Sequence, residues 1–329
     1  VPRAAAHGLT APLDRRLHFV VGKGGVGKTT VTAALARLSA RAGRRTLAVE
    51  MEPVGRLPRV LGLSGPAVGT PVAVEPGLSV VSIDGRSALE EYLGLIIPVR
   101  RLLTTVFSSR IYQYFVAAAP GLKELMTVGK VWYEATRREG SRLAWDAIVV
   151  DAPATGHGLQ YLRMPQAARE TFGTGLVERE ATRVVELLRD PATTAVHLVT
   201  LAEDMPVTET TEAYAQLTGP LALPIGVVVV NRVHRRRFAP ETIARVAHAA
   251  EASEGAERGL LAAVAERAAE ESGWAAINAQ QIERLRAGLG QTPIVELPYL
   301  FTEEFGAAEL DELSRCLREE AAAKVARRA

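Results

Sequence analysis

The chain has 329 residues, 48% of them hydrophobic and 23% charged, a balance that suits a soluble fold with a substantial apolar core. Its 39 basic and 37 acidic residues leave a formal charge of +2, which removes both the basic excess of a nucleic-acid binder and the acidic excess of a solvating tail. A single cysteine, Cys316, excludes an intrachain disulfide framework and any C-x-x-C zinc site; in the last helical stretch it reads as a packing residue.

Residues 1–15, VPRAAAHGLTAPLDR, read as a loose extension without an apolar core of signal-peptide length, which places the protein in the cytoplasm. A short apolar strand, LHFVV (17–21), follows and runs into GKGGVGKTT (22–30). That segment satisfies G-x-x-x-x-G-K-[ST] through Gly22, Gly27, Lys28 and Thr29. The whole loop, Gly22, Lys23, Gly24, Gly25, Val26, Gly27, Lys28, Thr29 and Thr30, is the candidate cradle for polyphosphate. Backbone N–H groups and the start of the next helix, VTAALARLSARAG (31–43), would face the anion. Only five of the 39 basic residues are lysine, and two of those five lie here. An ammonium is a compact charge that fits such a cradle, whereas a guanidinium is broad and planar. Lys28 can bridge the β- and γ-phosphates of ATP, and the Thr29 hydroxyl can complete a Mg²⁺ shell.

Further strands are expected at 46–49, 78–83, 147–150, 196–200, 226–230 and 293–297, most of them continuous in apolar residues rather than alternating. With helices between them they give an α/β fold, a doubly wound and mostly parallel sheet. A P-loop ATPase domain spanning 16–329 is expected, with helical insertions at about 86–142 and 232–289. The first insertion is the more apolar, which fits packing within the insertion itself or, as the second reading, a surface that receives an apolar partner. The longest uncharged stretch, 213–231, contains Gly219, Pro220 and Pro224, so it reads as a turn and a buried strand; no membrane span is expected.

Three strand ends carry candidate chemistry. Glu50 and Glu52 close the second strand in AVEMEPVG, and either could orient or deprotonate an attacking water. They share a face only if the strand persists. Asp151, in DAPATGH after the strand at 147–150, is placed to order Mg²⁺ through water, with His157 in the loop or helix cap beyond it. Asn231 closes GVVVVN, and its amide can match an adenine edge.

These segments together resemble a known family. GKGGVGKTT with Lys23 is similar to the deviant phosphate loop of the ATPase group that includes MinD, ParA, nitrogenase iron protein and ArsA. DAPATGHGLQYLRMP (151–165) resembles the D-T-A-P-T-G-H-T-L-R-x-L segment of ArsA and of the ATPases that target tail-anchored proteins. VVVNRV, ELPYLFTEEFG and APGLKELMTVGK resemble further elements of that family, most closely its actinobacterial ArsA-like paralogue pairs. The resemblance implies that Lys23 reaches phosphates bound by a second subunit. It also implies that Asn231 and the Pro298 loop hold adenine, and that the water-activating aspartate of the D-P-A-H segment falls on Glu52, with Gly55 in place of the histidine. The implied protein is a cytosolic ATPase, a homodimer or a heterodimer with a paralogue, whose ATP-driven closure binds or releases an apolar protein client. An energiser of an anion efflux system and an ATP-gated binding module with weak hydrolysis are the alternatives. ArsA binds arsenite through several cysteines, which this chain lacks.

Overall fold

The computed structural model describes residues 13–96 and 121–326, together with Leu9, Phe107, Ser109, Arg110, Tyr112 and Tyr114. Most of the 1–15 extension and the middle of the 86–142 segment lie outside the described residues.

Eight strands form the main sheet: β1 (Leu17–Gly22), β2 (Thr46–Glu50), β3 (Val72–Glu75), β4 (Leu78–Ser82), β7 (Ala147–Asp151), β8 (Thr194–Leu201), β9 (Ile225–Val233) and β10 (Ile294–Pro298). Their order is β10-β9-β8-β1-β7-β2-β4-β3, parallel throughout except for the β3–β4 pair. A separate two-stranded ribbon joins β5 (Arg138–Glu139) to β6 (Arg142–Leu143). The helices are α1 (Lys28–Arg41), α2 (Arg56–Val60), α3 (Gly85–Ile96), α4 (Leu122–Thr136), α5 (Thr155–Phe172), α6 (Leu176–Arg189) and α7 (Asp204–Thr218), followed by α8 (Pro240–Ala252), α9 (Gly255–Gly288) and α10 (Ala307–Ala326).

The continuous apolar strands are explained by helices on both faces. Along β1, Leu17, Phe19 and Val21 point into one core with Val49, Ile148, Val150, Leu198 and Val230. Val20 points the other way, with Ala48, Val149, Val199, Val229 and Val295, against α1 and α10. Cys316 packs at the margin of this second core, where burial pushes its thiol up. The edge strand β3 was not expected. Its VAVE sequence lies between Pro71 and Pro76 and none of it is buried, so it lacks the apolar run that marks the other strands. The uncharged stretch at 213–231 also differs in part: its first six residues complete α7, and only 219–224 form the turn before β9.

A buried polar pair stitches β1 to β8 near their amino-terminal ends. His18 Nδ1 lies 3.0 Å from His197 Nε2, and His18 Nε2 lies 2.7 Å from Arg15 O. Val227 N–H donates to His197 Nδ1 at 3.2 Å, so His197 carries its proton on Nε2 and donates to His18 Nδ1. His18 then donates from Nε2 to Arg15 O, and both rings are neutral. Burial lowers both, His18 well below its ordinary value and His197 to about 4. A third proton would set two N–H groups against each other. Below pH ~6.5 this pair therefore binds more protons in the unfolded chain than in the folded one, and its contribution to stability falls as the pH drops. His197 alone accounts for about 3 kcal/mol by pH ~4. Urea denaturation between pH 7 and 5 should show this loss, and His18→Gln/His197→Gln should flatten the slope.

Candidate functional site

The order in which strands are added reverses beside β1, with β8 on one side and β7 on the other, and ligands of such sheets sit at the carboxyl ends near this point. The loop after β1 emerges there. Parallel register sets Val20 opposite Asp151, and Asp151 opposite Glu50, so three strand ends deliver their side chains to one place.

The loop is anchored from below. Val26 is buried, and its carbonyl accepts a 3.0 Å hydrogen bond from Asn231 Nδ2. Gly27 has φ 93°, and a Cβ there would stand 2.2 Å from the same nitrogen, so no other residue fits without displacing Asn231. β9 runs on to Val233, so Asn231 lies inside the strand rather than closing it, and its buried amide nitrogen is engaged in bracing the loop. Pro298 ends the neighbouring strand, in register with Val233.

The reactive groups lie above this brace. Thr29 Oγ1 donates to Asp151 Oδ2 at 2.7 Å, Thr32 Oγ1 approaches Oδ1 at 3.4 Å, and Lys28 Nζ donates to Lys23 O at 2.9 Å. Burial pushes the Asp151 carboxyl up to about 6, against the opposing pull of the Thr29 hydrogen bond and the Lys28 charge. Lys28 is lowered, chiefly by the same desolvation. A cavity of about 310 Å³ opens over these groups, walled by Gly24, Gly25, Gly27, Lys28, Thr29, both Glu50 and Glu52, Val54, Arg56 and the chain from Asp151 to Ala154. Gly22, Val26, Thr30, Asn231 and Pro298 do not line it; Thr30 lies in the first turn of α1. His157 stands exposed in the first turn of α5.

The two glutamates part company. β2 ends at Glu50, so the shared face that a longer strand would provide does not form. Glu50 is 4% exposed, and its carboxylate accepts from Gly55 N–H at 3.0 Å, Arg56 N–H at 2.7 Å, Leu57 N–H at 3.2 Å and Ser82 Oγ at 2.7 Å. These bonds tie α2 to the sheet. Glu52 is exposed and faces the cavity.

Lys23 does not point at the cavity. Its ammonium sits 2.6 Å from Glu209 Oε1 on α7. Sequence reading missed this pair, since no motif links positions 186 residues apart. It also missed Arg56 and an aromatic cluster beyond the ends of β9 and β10. There His234 stacks on Tyr299 at 4.6 Å, Tyr299 meets Phe301 at 4.9 Å, and Arg237 covers Phe301 at 4.7 Å. The aromatic residues of YLF were the only local sign of it.

A glycine loop between β1 and α1, a lysine inside it, and a threonine bonded to the aspartate of an adjacent parallel strand together define the P-loop nucleoside-triphosphatase class. Residues 15–179 match the model of the anion-transporting ATPase family, and the chain belongs to that family of ATPases. It is 36% identical over 260 residues to ATPase BagA of Mycobacterium tuberculosis, covering 75% of this chain and 74% of that one. It is 27% identical over 231 residues to the arsenical pump-driving ATPase of Acidiphilium multivorum, and 26% identical over 231 residues to that of Escherichia coli. Both of those matches cover 65% of this chain and 39% of the pump-driving protein.

Glu50→Ala should orphan three buried or half-buried N–H groups and a hydroxyl, costing about 3 kcal/mol or more. Denaturant unfolding measures this directly. An unchanged midpoint would show that Glu50 does not hold α2.

Proposed function

We propose that this ATPase is a nucleotide-driven clamp, in which two chains close around ATP and the closure binds or releases an apolar segment of a client protein. Hydrolysis is supported by the meeting of Lys28, Thr29, Asp151 and Glu52 at one cavity. Lys28 contacts the β- and γ-phosphates. Thr29 and Asp151 would hold Mg²⁺ through their side-chain oxygens.

The donor set fits that ion. Mg²⁺ keeps several waters and takes one or two protein oxygens besides the phosphates, and no cluster of three His, Cys, Asp or Glu is found among the described residues. When bound, Mg²⁺ neutralises charge on the β- and γ-oxygens. Glu52, one methylene longer than an aspartate, accepts the proton of the attacking water. Lys23 serves the second subunit, a copy or a paralogue, once it leaves Glu209. The adenine lies on the Asn231 and Pro298 side.

One observation carries the client reading. An apolar groove of about 410 Å³ lies between α3, α4, α6 and the last residue of α5, walled by Leu89, Leu93, Leu122, Met126, Trp132 and Phe172. Phe172 and Val177 are exposed at its rim. The helix α5 begins directly after the cavity residues Pro153 and Ala154 and ends at Phe172, spanning about 27 Å from phosphate site to groove. A shift of its first turn on loss of the γ-phosphate is carried toward the groove along this one helix, whose hydrogen-bond ladder is interrupted at Pro165. Within this chain one cysteine cannot form the multi-thiol arsenite site, so the pump-driving role of the arsenical relatives is not carried over.

Lys28→Ala should abolish ATP turnover while the unfolding midpoint stays in place. Glu52→Gln should lower kcat by at least about 10²-fold with little change in ATP affinity. The Glu52→Gln protein should sediment as a dimer with ATP, and Lys23→Ala in that background should not. Full turnover in a protein that stays monomeric with ATP would remove the clamp reading.

The groove is tested by a fluorescent leucine-rich helical peptide. Wild type should retain it in a nucleotide-dependent way, whereas Phe172→Asp/Val177→Asp should lose it and keep basal ATPase activity. Equal retention by both proteins would refute the client reading and leave the ATPase assignment untouched.

A further inference from the structure

The phosphate-loop cavity carries a cation that the glycine motif does not account for. Arg56 opens α2, immediately after Gly55, whose φ of 74° turns the chain into the helix. The backbone here is fixed from beneath, because the N–H groups of Gly55 and Arg56 both donate to the buried Glu50 carboxylate. The side chain is left to the other side, on the wall of the cavity with Lys28, Thr29 and Glu52. It is exposed, and its guanidinium makes no ion pair or hydrogen bond among the described residues. Arg37, Arg45 and Arg284, by contrast, each hold a carboxylate.

Two like charges therefore converge on one cavity. The positive charge of Arg56 contributes to the lowering of Lys28, after the larger effect of burial. Glu50, Glu52 and Asp151 border the same cavity, and the charges of Asp151 and Glu52 raise Lys28 in opposition to Arg56, so the two cations are partly balanced within the chain and remain exposed to a polyanion. A guanidinium can also grip two phosphate oxygens at once, which the Lys28 ammonium cannot. Lys23 is not available for this within a single chain, since Glu209 holds it.

We propose that Arg56 is a catalytic residue that contacts the γ-phosphate of ATP bound by its own chain and stabilises the charge that develops there during hydrolysis. The inference rests on the reading of this cavity as the ATP site. In the step it assists, the water oxygen bonds to the γ-phosphorus while the bond from that phosphorus to the β–γ bridging oxygen breaks. The electron pair leaves with ADP. One water proton passes to Glu52 and then to solvent, and the other stays on the inorganic phosphate.

The test measures turnover and equilibrium binding together. Arg56→Ala should lower kcat by about 10²–10³-fold, the range for removal of one group that stabilises developing charge. Its ADP affinity, read by calorimetry with Mg²⁺, should change by no more than about threefold, because the contact is to the γ-phosphate. Affinity for the ADP–aluminium fluoride complex should fall in parallel with kcat. Arg56→Lys should recover part of both losses, since the charge returns without the fork. The unfolding midpoint should stay put, because the side chain supports no packing. Unchanged kcat and unchanged aluminium fluoride binding in Arg56→Ala would overturn the inference, as would a loss of ADP affinity as large as the loss of kcat. Lys28→Ala, run alongside, separates the two levels. If it is inactive while Arg56→Ala is fully active, this inference alone fails; if it too is fully active, the reading of the cavity fails and the inference with it.

Discussion

The phosphate end of the molecule depends on keeping two neighbouring carboxylates in a nearly dry place. Register sets Glu50 beside Asp151 on adjacent strands, and both are less than a tenth exposed. Burial of a charged carboxylate is costly unless hydrogen bonds replace the lost water. The two acids solve this differently. Glu50 is saturated by three backbone N–H groups and a serine hydroxyl, so its role is complete in the folded chain. Asp151 has one short threonine bond, one long one and a nearby ammonium, and its carboxyl is still pushed up. The contrast is one of satisfaction: the bonds of Glu50 are complete within the chain, and Asp151 keeps bonding capacity beside the Thr29 hydroxyl.

How much of this could be read from the sequence follows from the range of each interaction. The glycine loop, Lys28 and Thr29 are legible because a phosphate cradle needs particular residues at fixed short spacing. The parallel sheet is legible because strands covered on both faces are nearly continuous in apolar residues, as in FVV and VVVV. The strand β3 was not, since half-exposed residues flanked by prolines carry no such run. The roles of Glu50 and Glu52 could not be separated either. Two acids in EME look alike until the end of β2 is fixed, and that end is set by α2 folding back onto Glu50. Lys23 and Glu209 meet only through the packing of α7 near the loop, and Asn231 reaches Val26 across the sheet order rather than along the chain. Long-range placement of this kind has no local signature. Arg56 was overlooked for a plainer reason: an arginine in a loop is ordinary until its neighbours are known.

Both borders of the sheet are spoiled as templates. At one border β3 runs against the others, is bounded by Pro71 and Pro76, and slips register between Ala73 and Glu75. At the other, β10 ends in Pro298 after an irregularity at Glu296, with α10 packed beside it. Exposed regular edges invite another chain to add a strand, and prolines, irregularities and covering helices prevent it. The two borders of the main sheet therefore give a second copy no regular backbone template for extending it into one continuous ribbon. A contact between copies that leaves these borders alone rests on side chains and loops, which can be made and broken within a catalytic cycle, as the shared hydrogen-bond ladder of a joined sheet could not.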